Sequence, residues 1–237
     1  MVVGTMSVMR ARVCLQGGAE FSPGCEGMDA AMLSADPAAT DDDSDNDGGA
    51  RVRRVLVLPF AARPGRERDL AAGNARRWYS LLGAREVDAV LHEGDDVATA
   101  LNEACRSATL VVLPGGSPQR LLEALAPHAD LLRSAPEVGT AVSGASAGAM
   151  VLCRWSVLPG PRTRVVPALG VVEVDLVLPH YRAAQGGGKG WLRSARDVLP
   201  PNAVVLGLPE RSAAILTPDG QWEPAGVERF SQLTAPD

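Results

Sequence analysis

The chain has almost no lysine: Lys189 is the only one, so arginine carries nearly all the positive charge of its 23 basic side chains. That is a compositional bias and assigns no function. Basic charge is also in deficit, 23 groups against 28 acidic ones for a net charge of −5. This excludes duplex nucleic acid as a main partner, because non-specific binding needs a basic face to displace counterions. Long apolar runs are missing. The longest, residues 108–114 and 171–179, fall far short of the ~20 residues that cross a bilayer, so no membrane partner is expected. The four cysteines (Cys14, Cys25, Cys105, Cys153) show no C-x-x-C spacing and no Cys/His cluster, which excludes zinc. A disulfide framework is excluded by the length of 237 residues. The N-terminus lacks a basic stretch followed by a long apolar one, so no signal peptide is expected and the cytoplasm is the expected compartment.

What is present is the mixture of a soluble globular protein, 46% hydrophobic and 22% charged. One domain covering 1–237 is expected, since single cores grow to roughly 250–300 residues. A first strand is expected at 12–15, running into the turn Gln16-Gly-Gly-Ala, and a helix at 25–33. Residues 34–50 then lose all periodicity and carry six aspartates, which predicts a mobile loop that buries too little apolar surface to offset its ordering entropy. An alternation follows: strand 54–59, helix 68–82, strand 86–91, helix 96–105, strand 109–114. Ser117 and Pro118 are placed to open the next helix, Ser as the cap and Pro at the first helical position. Strands are expected at 139–143, 171–179, 204–209 and 213–216. Continuous apolar strands separated by helical segments predict the α/β class, a largely parallel central sheet with helices on both faces. Ligand sites in such sheets lie outside the carboxyl ends of the strands.

At one of those ends stands Gly144-Ala-Ser-Ala-Gly148, a G-x-S-x-G segment between a short strand and an apolar helix. In that context Ser146 is the candidate nucleophile, held on a sharp turn that exposes Oγ and directs the Ala147 N–H at a reacting oxygen. Of the three histidines, His180 ends an apolar run downstream of the serine and is favoured as its base; His92, also at a strand end, is the rival. Glu210 ends a further apolar run and is the candidate to orient the imidazole, although a solvated turn residue is the alternative. The order Ser…His…Glu differs from that of α/β-hydrolases, which counts against an ordinary esterase. Gly115 and Gly116, in LPGGSP at a strand end, are read as oxyanion or substrate-binding positions, with the Gly116 N–H as the partner of Ala147.

Taken together, CLQGGAEFSPG, VLVLPFA, LVVLPGGSPQRLL, SGASAGAM, VDLVLPHY and VLGLPERSAAIL resemble the serine peptidase family of dipeptidase E and cyanophycinase. That family's fold is similar to class I glutamine amidotransferases. The resemblance runs from Arg12 to Gly220, with gaps at the Asp-rich loop and at 182–196. It implies hydrolysis of a small peptide or isopeptide with Ser146 as nucleophile, His180 as base, Glu210 as its partner, and Gly116 and Ala147 as oxyanion donors. It implies no metal and no organic cofactor, and a small peptide as the partner. Monomer and homodimer both stay open. Three departures are visible: Ser117 stands where the family often has Asn, Pro179 where cyanophycinase-like members have Gln, and no carboxylate follows the serine by about fifteen residues, where some relatives carry the acid. The insertion at 183–195, with Gly186–Gly188, is a candidate lid or substrate loop. A non-catalytic binding module and an esterase or acyltransferase remain the alternative functions.

Other motifs carry less. Asp43-Ser-Asp-Asn-Asp-Gly48 copies the first half of a calcium loop, but Arg54 occupies the position of the closing Glu. The turn after the first strand lacks both G-x-G-x-x-G and G-K-[ST], so phosphate binding is unsupported, and Glu20 reads as a structural or crevice-edge carboxylate. Arg120, Arg154, Arg182 and Arg211 are candidates to hold a substrate carboxylate, each with a surface charge as its plainer reading.

Overall fold

A computed structural model describes residues 9–34, 53–92, 95–182 and 189–233. Residues 35–50 of the Asp-rich stretch, with the half calcium loop, and 183–188 with the glycine triplet lie outside the described residues.

The fold is α/β. Among the described residues a seven-stranded sheet has its parallel part in the order β1 (Val13–Gln16), β5 (Ala141–Ala145), β4 (Leu110–Leu113), β2 (Arg54–Val57), β3 (Glu86–Ala89). Beyond β1 the sheet continues antiparallel through β10 (Ser212–Leu216) and β11 (Trp222–Gly226). The strands are apolar on both faces because both are covered. Cys14, Val55, Val57, Leu110 and Val112 pack under α1 (Glu26–Leu33) and α2 (Arg66–Leu81) with Met28, Met32 and Tyr79. Val13, Leu15, Leu56, Val111, Leu113 and Val142 face the opposite way. There they pack with α3 (Asp95–Ser107), α4 (Pro118–Leu125), α5 (Ala129–Ser134) and α6 (Ala147–Leu152). Each such side chain contributes about 1.5–3 kcal/mol on burial. As the sequence predicts, Ser117 caps α4, its Oγ accepting the Arg120 N–H at 3.3 Å with Pro118 first in the helix. No helix among the described residues is long and apolar enough to cross a membrane.

Two differences from the sequence reading shape the site. The run at 171–179 is strand only over β8 (Leu176–Pro179), because the Val171 and Val172 amides instead donate to the Leu152 carbonyl at the end of α6. And β8 does not join the large sheet. Both edges of β1 are already filled, by β5 and β10, so β8 pairs in parallel with β9 (Val205–Leu208). With β12 (Ser231–Leu233) they make a separate three-stranded sheet. The hairpin β6 (Trp155–Leu158) and β7 (Arg164–Pro167) is a further addition that the periodicity did not signal.

Candidate active site

The carboxyl ends of β1, β4 and β5 lie along one edge of the large sheet, and those of β8 and β9 meet them there. The elbow at β5 is the centre. Ser146 has φ 49° and ψ −107°, between the last strand residue, Ala145, and the first helical one, Ala147. A non-glycine residue in such a conformation stores of order 1–3 kcal/mol and persists only where its surroundings impose it. Two constraints do so: the Ser146 N–H donates to the Gln16 carbonyl at 3.0 Å, and the Ser146 carbonyl accepts the Met150 N–H at 3.0 Å. The flanking glycines are required by space. A Cβ on Gly144 would sit 2.5 Å from the Gly148 carbonyl carbon, and one on Gly148 would sit 2.0 Å from the Leu113 oxygen.

His180 follows β8 and Glu210 follows β9 with Pro209 between, so the parallel pairing of those strands delivers both to the same edge. The Ser146 Oγ is 2.9 Å from His180 Nε2, and His180 Nδ1 is 3.0 Å from Glu210 Oε1. In the tautomer that fits this chain, Nδ1–H donates to the carboxylate and Nε2 accepts from the serine hydroxyl. The histidine and glutamate side chains are 49% and 44% exposed, so the chain opens on solvent. His92 is elsewhere. It follows β3 at the outer edge of the sheet, with β4 and β2 between it and β5, and it is exposed.

The stretch Gly17-Gly18, read from sequence only as a turn, is the seam of the site. The Gly17 carbonyl accepts the His180 N–H at 2.9 Å, the Gly18 carbonyl accepts the Arg211 N–H at 3.0 Å, and the Gly17 N–H donates to the Ser212 carbonyl at 2.9 Å. The imidazole lies directly on Gly18: a Cβ there would be 2.3 Å from His180 Cε1, and Gly18 has φ +121°. Below the seam, the Gln16 side chain donates to Asp29 Oδ1 at 2.6 Å and to Ser143 Oγ at 3.2 Å. Asp29 also accepts from Trp78 Nε1 at 2.8 Å and the Tyr79 hydroxyl at 3.3 Å. Burial lifts the Asp29 carboxyl to about 6 against these donors, with the Glu20 charge adding to the rise.

At the end of β4, Gly116 has φ +139°, and its Cα approaches the Ala61 carbonyl so closely that a Cβ would be 2.7 Å from that oxygen. Among the described residues neither the Gly116 nor the Ala147 N–H has a protein acceptor, whereas the Gly115 N–H already donates to Glu20 Oε1 at 2.8 Å. Of the four arginines singled out in the sequence, two are engaged. Arg120 donates through Nε and Nη2 to the Ala61 carbonyl at 3.2 and 3.0 Å, and Arg154 pairs with Glu173 and, at 3.6 Å, Asp175. Arg182 and Arg211 line a cleft of about 440 Å³ beside Glu210, together with Tyr181 and Glu228.

Among solved structures, the chain is similar to a peptidase from an acI-B1 Actinobacterium, with 22% identity and a TM-score of 0.73 over 98% of this chain and 97% of that one. It is also similar to a "Putative Peptidase E Protein" from Listeria monocytogenes EGD-e, with 13% identity and a TM-score of 0.59 over 92% of this chain and 99% of that one. At such identities the likeness speaks for the fold. No curated protein matches the chain. Residues 39–220, the greater part of the chain and the part that carries the elbow, the histidine and the glutamate, match the model of peptidase family S51, and the chain therefore belongs to that family of serine peptidases.

Proposed function

We propose that the protein hydrolyses a small peptide or isopeptide, in the manner of dipeptidase E or cyanophycinase, through Ser146, His180 and Glu210. The observation that carries this reading is the unbroken chain from Ser146 Oγ through the imidazole to Glu210 Oε1, with contacts of 2.9 and 3.0 Å. Ser146 Oγ attacks the scissile carbonyl carbon while its proton passes to His180 Nε2. The oxyanion so formed accepts from the Gly116 and Ala147 N–H groups, each such donor being worth about 2.7–4 kcal/mol of barrier. His180 then returns the proton to the departing amine, the C–N bond breaks, and an acyl-serine remains. Water attacks it by the same route, giving its proton to Nε2 and releasing the acid as Ser146 Oγ recovers a proton. Glu210 holds Nδ1–H and stabilises the imidazolium present midway.

The test has two readouts. Wild type and Ser146→Ala are treated with a fluorophosphonate, and both are incubated with free dipeptides, β-linked Asp-Arg fragments and simple acyl esters, with products followed by mass spectrometry. Labelling at Ser146 and cleavage of a peptide class, both lost in the variant, support the reading. Ester turnover without peptide cleavage would favour acyl transfer. Ligand binding that survives Ser146→Ala, with no labelling and no turnover in wild type, would make the protein a binding module instead.

A further inference from the structure

Asp29 on α1 is fully buried, ionisable and unused by this mechanism, yet a single residue separates it from the nucleophile. Its Oδ1 accepts Gln16 Nε2 at 2.6 Å, and that nitrogen also donates to Ser143 Oγ on β5 at 3.2 Å. Gln16 holds the elbow by its backbone as well, its carbonyl accepting the Ser146 N–H at 3.0 Å. Gln16 Oε1 is buried and has no donor among the described residues. The side chain is therefore fastened through Nε2 alone, and Asp29 supplies the shorter, charge-assisted half of that fastening.

Ser146 stands at φ 49°, a strained backbone that persists only while its surroundings impose it. An anchor on the residue that accepts its amide is thus an anchor on the position of Oγ. We propose that Asp29 is a positioning residue for the nucleophile, holding the Gln16 carbonyl under the Ser146 amide through the Gln16 side chain. The inference rests on the serine-peptidase reading above and adds to it a residue that touches no reacting atom. The arrangement suits the ionised acid. Trp78 Nε1 at Oδ2 is a donor only, so an added proton must go to Oδ1, where it competes with Gln16 Nε2 and removes the charge that strengthens that bond. Burial lifts this carboxyl to about 6, the Glu20 charge adding to the rise, so the anchor weakens as pH falls through that value. The other ionisable groups around it, the Cys14 and Cys25 thiols and the Tyr79 hydroxyl, are raised by burial and by the Asp29 charge and stay neutral there.

Fluorophosphonate labelling at Ser146 is measured across the pH range on both sides of this value for wild type, Asp29→Asn, Gln16→Met and the double variant, with kcat and KM on any peptide the wild type cleaves. Methionine keeps the backbone and the length of Gln16 but donates nothing to Asp29 or Ser143. Near neutral pH Asp29→Asn carries no buried charge and is expected to be the more stable protein, so a loss there is not unfolding. The expected result is labelling about 10- to 100-fold slower in Asp29→Asn near neutral pH, as for one charge-assisted hydrogen bond, with the loss in kcat and not in KM. The ratio of the two rates cancels the titration of His180, and it should fall towards one as pH drops through about 6. Asp29→Asn should add nothing in the Gln16→Met background. Three results would overturn the inference while Ser146 of the wild type labels normally: a ratio of one at every pH, a ratio that stays high at low pH, or an Asp29→Asn loss that persists in full beside Gln16→Met. A wild type that does not label overturns the serine reading and this one with it.

Discussion

Replacing Asp29 by asparagine should make the pH dependence of stability flatter, and the sign follows from the burial of the carboxyl. Asp29 is fully buried between α1, α2 and the sheet, and its pKa rises from 3.8 to about 6 in the folded protein. Below about pH 3 the group carries its proton in both folded and unfolded chains and costs nothing. As pH rises from about 4 to about 6, the unfolded chain releases the proton while the folded one retains it, so stability is lost across that window. Above it, the folded state carries a buried charge. A rise of about two units corresponds to about 3 kcal/mol. Asparagine cannot ionise, but it has one acceptor oxygen where the carboxylate offers two to Gln16, Trp78 and Tyr79, a loss of about 1 kcal/mol at any pH. Asp29→Asn should therefore be slightly less stable than wild type near pH 4.5 and more stable near pH 7.5, the difference swinging by about 2–3 kcal/mol. Urea unfolding at several pH values measures it, and the fluorescence of Trp78, whose Nε1 bonds this carboxylate, gives a local titration. Parallel stability curves for the two proteins would refute the reasoning, because they would mean that the three donors fully offset desolvation.

Other substitutions probe the site directly. Gly18→Ala places a methyl 2.3 Å from the His180 ring at φ +121°; the ring must leave Ser146, so fluorophosphonate labelling should fall at least tenfold while the fold survives, as circular dichroism would report. Glu210→Gln should lower kcat by about 10²–10⁴-fold by letting the imidazole take the wrong tautomer. The same change should shift stability by under about 1 kcal/mol, because both partners are nearly half exposed, which thermal melting checks. Gly148→Ala pushes a Cβ to 2.0 Å from the Leu113 oxygen and should cost about 1–3 kcal/mol, lowering Tm by several degrees.

Much of this arrangement is written locally in the chain. The strands β2 and β4 are short apolar runs that lead to Pro59 and Pro114, and Ser117-Pro118 announces α4; such signals depend on neighbours a few residues away. Gly144 and Gly148 are legible for the same reason, since each is required by an approach of backbone within the elbow or onto the adjoining strand. The partition of the strands is not local. Nothing in the sequence near β8 says that both edges of β1 will be occupied, and a run of apolar residues does not reveal that the amides at 171 and 172 are needed to close the end of α6. Glu20 shows the same limit: its contact is with Gly115, ninety-five residues away, and a lone carboxylate after a glycine turn carries no mark of its partner.

Gly17 and Gly18 show why His180 and Glu210 reach Ser146 although they come from a different sheet. The backbone of these two glycines bonds to the residues after β8 and before β10, and Gln16 beside them holds the Ser146 amide. One three-residue segment thus fixes the nucleophile, the base and the strand that follows the acid relative to one another. Side chains are excluded from it: a Cβ on Gly17 would lie 2.0 Å from the Pro209 oxygen, and one on Gly18 would displace the imidazole. A change that shifts this seam should therefore disturb the serine, the histidine and the glutamate together.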